Sequence, residues 1–523
     1  MTAPLFRRPA VFDALLASGL VLLATALLGQ DANWDLQNYH LYTPMALLSG
    51  RWPQDIAVAQ LQSWHNPTLD LPLGGLVLAG APGWLVSLWL ALPSAVALFF
   101  ALRLMDRLWP QAASRWRSGV AALVALSGAA VLPGIAASFN DAFVAALAMP
   151  ALWWMAGTRD RPDAWRGWWL PGLLLGLAAG LKLTAAIYCL GLLAACLFAG
   201  SLRRLPARVA LLGIGGIGGF AAGAGWWMWR LWREHGNPLF PYFNQWFHSP
   251  DAPYLDHADA RFKPETLADA LLVPLRLLGE NRRYAELTVA DPRLLLGLLA
   301  LLAWGIAWGR KKRSSVATPG PAPWPLLAFV AASYAAWLAL YGIYRYLLPL
   351  EMLLSVVFVG MLSQLPLRRW LKPALALAAV LVAAATNHPN WGRQDFRSPM
   401  VDVRFPPFPR DSLVLLAGID PLGHAVAFLP SDVAAVSLSN NFMDPQRCTR
   451  LQDRVESRIR SHRGPLYLMR QATPAAAPFQ AYGLAISGSC VPVADSLVPV
   501  ELCALRRAAP TTARSCSWTA AGR

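Results

Sequence analysis

Of the 523 residues, 56% are hydrophobic and only 14% are charged, with 24 tryptophans, a balance that excludes an ordinary soluble protein. The formal net charge of +16 would suit a nucleic-acid binder. The basic residues, however, fall in short loops between apolar runs, which is a membrane-topology signal, so the chain reads as a polytopic membrane protein with no nucleic-acid partner.

In chain order, Arg7 and Arg8 precede a nearly continuous apolar run from Ala14 to Leu28. A cleaved leader begins the same way, but the many later runs favour a retained first helix. Basic clusters follow at Arg103, Arg107, Arg115 and Arg117; at Arg159, Arg161 and Arg166; at Arg203, Arg204 and Arg208; at Arg310 to Arg313; and at Arg368, Arg369 and Lys372. Taking them as cytoplasmic predicts spans near 10–29, 83–103, 118–136, 140–157, 168–182, 185–200, 208–230, 291–309, 323–343, 345–365 and 373–387, about eleven crossings. The N-terminus is then cytoplasmic in an inner membrane. The extracytoplasmic segments are 30–70, the turn at Ser138 to Asp141, a hairpin at Lys182, the loop 231–290, and the turn at Tyr344 to Tyr346. Within 69–103, Pro72, Gly74, Gly75, Pro82 and Gly83 argue for a re-entrant or interfacial piece before one true span. Residues 265–279 have helical apolar spacing and are expected along the membrane surface.

The expected organisation is a transmembrane helix bundle over 1–387, a Pro- and Arg-rich linker over 388–410, a small extracytoplasmic α/β domain over 411–507, and a disordered tail over 508–523. Runs at 411–418, 434–439, 465–470, 482–487 and 500–505 read as strands, and 451–462 as a helix. Pro474 to Pro478 also read as disordered. Cys448, Cys490, Cys503 and Cys516 lie where a disulfide is permitted, and free thiols are equally compatible with their spacing.

The polar residues that stand out are few. Asp31 and Asp35 follow the first span at once, and Asp35 opens Asp35-Leu-Gln-Asn-Tyr39-His40, a polar, aromatic stretch where several hydrogen-bonding groups converge. Asp35 reads either as a general base or as the N-cap of a following helix. Asp141, after Asn140, reads as a second outer acid or as a charge complementing a helix N-terminus. Lys182 is a single cation inside the apolar run 176–188, either functional or snorkelling to the interface. Arg345, flanked by Tyr344 and Tyr346, offers a planar fork for phosphate or serves as an interfacial anchor. Glu351 reads as an acid of the bundle interior, and the loop 235–247, with Asn237 and its prolines and aromatics, as interfacial.

Together these motifs resemble the GT-C superfamily of polytopic glycosyltransferases, which includes protein mannosyltransferases, aminoarabinose transferases and polyprenol-phosphate-mannose-dependent mannosyltransferases. The resemblance lies in Asp35 with an aromatic, Tyr39, four residues on; in Asn140-Asp141 in the next outer turn; in the Gly-Leu-Ala…Lys segment 176–182; in Asn237-Pro-Leu-Phe-Pro241; and in Arg345-Tyr346-Leu-Leu-Pro349, in that order over roughly 10–387. The first loop departs from the family in having Asp35-Leu36 rather than an Asp-Glu pair, so the sugar specificity of those families does not transfer.

The resemblance implies a GT-C-like fold and inverting transfer of a sugar from a polyprenyl-phosphate donor to a glycan, lipid or protein acceptor outside the membrane. Asp35 would be the general base, with Asp141 assisting. Tyr39, His40, Lys182, Asn237, Arg345 and Tyr346 would bind substrate, the two cations stabilising the departing phosphate. No organic cofactor is implied and no His/Cys constellation points to zinc, while a Mg²⁺ or Mn²⁺ ion bridging carboxylate and phosphate is compatible with the sequence but unsupported by it. Two rivals share these features. A transporter or flippase would carry charges at several depths, and a lipid-linked oligosaccharide polymerase or ligase of the cell envelope would use similar outer acids and arginines.

Overall fold

Apolar runs in a medium without water must satisfy their own backbone polar groups, and here they do so as helix. A computed structural model describes residues 9–110, 113–158, 164–255, 257–313, 323–364, 370–447, 449–471 and 482–508 and is mostly helical. Among these residues, five stretches are long and apolar enough to cross a membrane: Pro9–Leu28, Gly83–Leu108, Leu202–His235, Arg293–Arg310 and Tyr344–Leu362. Shorter apolar helices occupy Asp141–Gly157, Leu183–Phe198, Trp324–Leu340 and Pro373–Ala384. Two compact units result, one of Met1–Leu28, Leu90–Gly225 and Asp259–Trp391, the other of Gly29–Trp89, Trp226–Ala258 and Gly392–Arg523.

The first unit is a helix bundle. One close helix contact rests on small residues: Gly172, Gly176 and Gly180 of the helix Trp169–Leu181 face Leu212, Gly216 and Phe220 of the helix Leu205–His235. A methyl added at Gly176 would lie 2.1 Å from the Gly216 carbonyl oxygen, so this approach tolerates no side chain. The helix Leu267–Arg276, capped by Thr266, turns Leu267, Leu271 and Leu275 outward, more than half exposed, and buries Asp269 and Val273. The helix expected over 265–279 thus forms, over Leu267–Arg276 and with one apolar face exposed.

One expected crossing is interrupted. Over 118–136 the structure has the helix Arg115–Leu126 and then only the short helix Val131–Gly134. The break occurs because the Ala129 and Ala130 amides, which a continuous helix would use internally, bond instead to Asp291 Oδ2 (2.8 Å) and Glu351 Oε2 (2.9 Å). Gly128 permits it, since a Cβ there would collide with the Glu351 carboxyl. The basic cluster at 103–117 is also partly internal: Arg103 pairs with Asp13 and Asp106 (both 3.0 Å), and buried Arg117 pairs with Asp106 (2.5 Å).

The second unit carries the sheet. Strands β1 (Gln30–Asp31) and β2 (Arg393–Gln394) pair antiparallel. Strands β3 (Leu413–Ala417), β4 (Ala434–Ser439), β5 (Leu466–Gln471), β6 (Leu484–Ile486), β7 (Val491–Val493) and β8 (Val500–Arg507) form a sheet ordered β4-β3-β5-β8-β6, with β7 added on β8. The β4-β3-β5 part is parallel and β8 runs antiparallel to β5. The expected strands and the helix Arg450–Ser461 form, with β7 in addition. Cys490 and Cys503 form a disulfide between the β7 side and β8. Cys448 and Cys516, Pro474 to Pro478, and the tail beyond Ala508 lie outside the described residues.

The sheet does not fold around itself alone. Ile56 bridges to Val436 of β4 in parallel. Arg51 binds Asp55 (2.7 Å) and the carbonyl oxygens of Leu429 (3.1 Å) and Val433, and Asp55 accepts from the Ala435 amide (2.7 Å). Residues 29–89 and 226–258 thus share the core of the C-terminal strands, a grouping that hydrophobic patterning does not reveal.

Candidate functional site

The helix Asp141–Gly157 begins after Asn140, whose left-handed backbone (φ 65°) turns the chain into it, so Asp141 sits in the first turn near the positive helix end. The helix Trp169–Leu181 ends at Lys182, which adopts an extended conformation and leads into a single 3-10 turn. That reversal lets the Lys182 ammonium reach back and donate to the Phe139 carbonyl oxygen (2.6 Å) and to Asp141 Oδ1 (2.5 Å). Arg345 comes from the 3-10 turn Tyr344–Leu347. Its Nε donates to Glu286 Oε1 (2.9 Å), and a terminal nitrogen stands 4.0 Å from Asp141 Oδ2.

Aromatic rings frame the cations. The Arg345 guanidinium lies 4.6 Å from the Phe139 ring centre, 5.2 Å from Tyr346 and 6.0 Å from Trp391, and the Lys182 ammonium lies 5.1 Å from Tyr346. Phe139, Asp141, Glu286, Tyr344, Arg345 and Trp391, with alanine, valine and leucine between them, line a small recess of about 20 Å³. Asp141 Oδ2 is buried and accepts no hydrogen bond. A pair of cations beside an apolar wall suits an anionic head on an apolar tail.

Behind the recess, Arg293 is buried and bound on every side: to Asp291 Oδ2 (2.9 Å), the Val124 and Ser127 carbonyl oxygens (both 2.7 Å) and Thr386 Oγ1 (2.7 Å). With the amide bonds to Asp291 and Glu351, this network fixes the broken backbone that forms one wall. Glu351 is the bundle-interior acid of the sequence reading. Asp291, Arg293 and Glu286 are not in that reading, although the acid and base flanking Pro292 at the head of an apolar run were a visible signal for the first two.

Asp35, Tyr39, His40 and Asn237 belong to the second unit. Asp35 is half-buried and immediately precedes a π-helical turn, Leu36–His40, closed by the Leu41 amide on the Leu36 carbonyl oxygen (3.3 Å). Such wide turns recur at functional sites. The carboxylate makes no capping bond to that turn. Its neighbour Asp31 is fully buried and holds the Asn33 side-chain amide at 2.8 and 2.7 Å. His40 Nδ1 meets Asp70 Oδ2 (2.8 Å), while its Nε2 is buried and makes no hydrogen bond. Tyr39 packs edge-on to His65 (5.1 Å between ring centres), and His65 bonds the Tyr242 hydroxyl (2.9 Å). Asn237 is fully buried and organises its own loop, bonding the Tyr242 carbonyl oxygen (3.0 Å) and the Leu239 amide (2.9 Å).

A third charged group in the second unit is closed. His235 Nδ1 meets Asp251 Oδ2 (2.8 Å), the Trp64 indole donates to His235 Nε2 (3.1 Å), and Arg450 grips both Asp251 oxygens (2.7 Å each). Burial works against the Asp251 carboxylate, yet the hydrogen bonds from Arg450 and His235 prevail and hold its pKa at about 2. Among the described residues, only Cys490, Glu501 and Cys503 bring enough metal-ligand types together to consider an ion, and the two cysteines are joined to each other. Comparison of the chain with models of protein families, with curated proteins and with solved structures gives no match.

Proposed function

We propose that this chain is an integral membrane glycosyltransferase, GT-C-like in fold with about eleven crossings, that transfers sugar from a polyprenyl-phosphate donor to an acceptor on the extracytoplasmic side of the inner membrane. The observation that supports it is the meeting of Lys182 and Arg345, 163 residues apart in sequence, on opposite sides of Asp141 at an aromatic-walled recess in a helix bundle. Each of the three occupies a motif position on which the resemblance rests.

In this reading the donor phosphate binds at Arg345, with Lys182 beyond Asp141, and its prenyl chain follows the apolar wall. Negative charge grows on the phosphate as the glycosidic bond lengthens, and two fixed cations stabilise that charge more than the ground state. Asp141, bonded to Lys182, orients the ammonium. By the resemblance, the general base that takes the proton of the acceptor hydroxyl is Asp35, and attack opposite the departing phosphate inverts the configuration. Tyr39 and His40 stand beside that base in sequence, Tyr346 stacks on the cations, and Asn237 shapes its loop.

Mass spectrometry of lipids retained by the gently purified protein tests the reading. A polyprenyl-phosphate sugar is expected. A pyrophosphate-linked oligosaccharide would assign the recess to a polymerase or ligase instead, and a lipid complement identical to that of an unrelated membrane protein would contradict donor binding.

A further inference from the structure

As it stands the recess is electrically balanced, each cation already answered by a carboxylate. Lys182 and Arg345 bring two positive charges, and Asp141 and Glu286 answer them with two negative ones. A phosphate entering such a site meets cations already paired, and gains attraction only if one carboxylate gives way.

The two carboxylates are not equally fixed. The Asp141 side chain is 6% exposed, sits in the first turn of a helix and holds Lys182 at 2.5 Å. Glu286 is 26% exposed, lies on an irregular segment closed by the Asn281–Val289 bridge, and holds Arg345 through Oε1 alone. Its Oε2 is buried with no hydrogen-bond partner, so the contact lacks the two-point fork that makes an arginine–carboxylate pair strong. A second cation is within its field: the Arg261 guanidinium is held above its usual pKa first by hydrogen bonding to Asp259 and further by the Glu286 carboxylate.

We infer that Glu286 is a displaceable counter-ion, which competes with the donor phosphate for Arg345 and leaves the recess with a net positive charge when it moves aside. The inference rests on the reading of the recess as a phosphate site. Glu286 then sets the selectivity of the recess. A weakly charged or neutral lipid head cannot displace it, whereas a phosphate that offers Arg345 two oxygens can. It also keeps the guanidinium in place over the Phe139 ring.

Binding of farnesyl phosphate to the full-length protein in detergent, followed by tryptophan fluorescence, tests this. Glu286→Gln keeps the shape of the side chain and removes its charge, and should bind on the order of tenfold more tightly than the wild type. Glu286→Ala should shift in the same direction, and neither gain can come from misfolding. The gain should vanish in an Arg345→Gln background. If the wild type binds and neither Glu286 variant binds more tightly, the counter-ion inference is wrong while the phosphate site stands. A gain that persists without Arg345 also overturns it. If neither the wild type nor Glu286→Gln binds, the phosphate reading itself falls, and this inference with it.

Discussion

The Lys182–Asp141–Arg345 cluster and the His235–Asp251–Arg450 cluster are built alike. In each, one aspartate stands between two basic side chains drawn from distant parts of the chain. They differ in what their atoms still have to offer. Asp251 is fully buried, both its oxygens are taken, and the His235 ring is closed on its other side by Trp64. Asp141 keeps an oxygen with no hydrogen bond, and Arg345 reaches it only at 4.0 Å, beside open volume. An aspartate between two basic side chains is therefore closed in one place and left with an unbonded oxygen in the other. Residual hydrogen-bonding capacity at a cavity, rather than the presence of charge, distinguishes them.

The largest effect is expected from neither cluster but from the proposed base. Asp35→Asn preserves size and most hydrogen bonding and should lower turnover by roughly 10²- to 10⁴-fold with donor binding largely intact, measured in membranes with the lipid donor. Asp31→Asn provides the contrast. It removes the carboxylate that holds the Asn33 amide in a buried site, so its loss should appear in folded yield and melting temperature, with the turnover of the folded fraction near wild type. If Asp35→Asn turns over normally while Asp141→Asn does not, the base has been assigned to the wrong carboxylate.

Breaking the closed cluster should cost stability and spare binding. Asp251→Asn leaves Arg450 and His235 without their shared anion and should destabilise the sheet-containing unit by about 4 kcal/mol in thermal or denaturant unfolding, with farnesyl phosphate binding by the folded protein unchanged. A binding defect there would mean that the comparison between the two clusters has been drawn wrongly.

Acid should loosen the same unit by a separate route. His424 is fully buried in the short helix Gly423–Val426, between the Gln37 and Pro421 carbonyl oxygens on Nδ1 and Ser496 Oγ on Nε2, and burial pushes its pKa down from 6.5 to about 4. Its neutral form is the one that fits, so stability is complete above pH 6.5 and falls by about 3 kcal/mol as the pH drops from 6.5 to about 4. Asp251 works at lower pH. Its contribution is present above the ordinary carboxylate pKa of 3.8 and is lost as the pH falls through about 2. His424→Gln should flatten the upper limb of the stability profile and leave the lower one. The smallest effect is expected from Arg345→Lys, which keeps the charge and loses the fork, lowering activity roughly tenfold with an unchanged melting temperature.

Much of this molecule was legible in its sequence where a single element decides the outcome. The apolar runs gave the helices, the turn-bounded runs gave β3 to β6 and β8, and the spacing of 451–462 gave the helix Arg450–Ser461. Lys182 stood out because an isolated charge in an apolar run is costly, Asp141 as an acid in an outer turn, and Arg345 as a fork between two tyrosines. What stayed hidden depends on contacts between distant segments. Nothing local in 118–136 announces that Asp291 and Glu351 will take its amides and break the helix. The Gly-Ile-Gly-Gly-Ile-Gly-Gly run at 213–219 was a visible sign of close helix packing, but its partner glycines at 172–180 become evident only once the two helices are side by side. Glu286 looked like any loop acid, and only its bond to Arg345 brings it into the site.

The central claim is that the recess beside Lys182, Asp141 and Arg345 holds a lipid-linked phosphate. A photoactivatable prenyl phosphate, crosslinked to the full-length protein and mapped by peptide mass spectrometry, tests it most directly. Adducts should concentrate on the peptides carrying 137–142, 285–289 and 344–348, which border the recess, and should be lost in Arg345→Gln. Adducts spread over the outward-facing leucines of the helix Leu267–Arg276 and unaffected by Arg345→Gln would show generic lipid contact and contradict the claim.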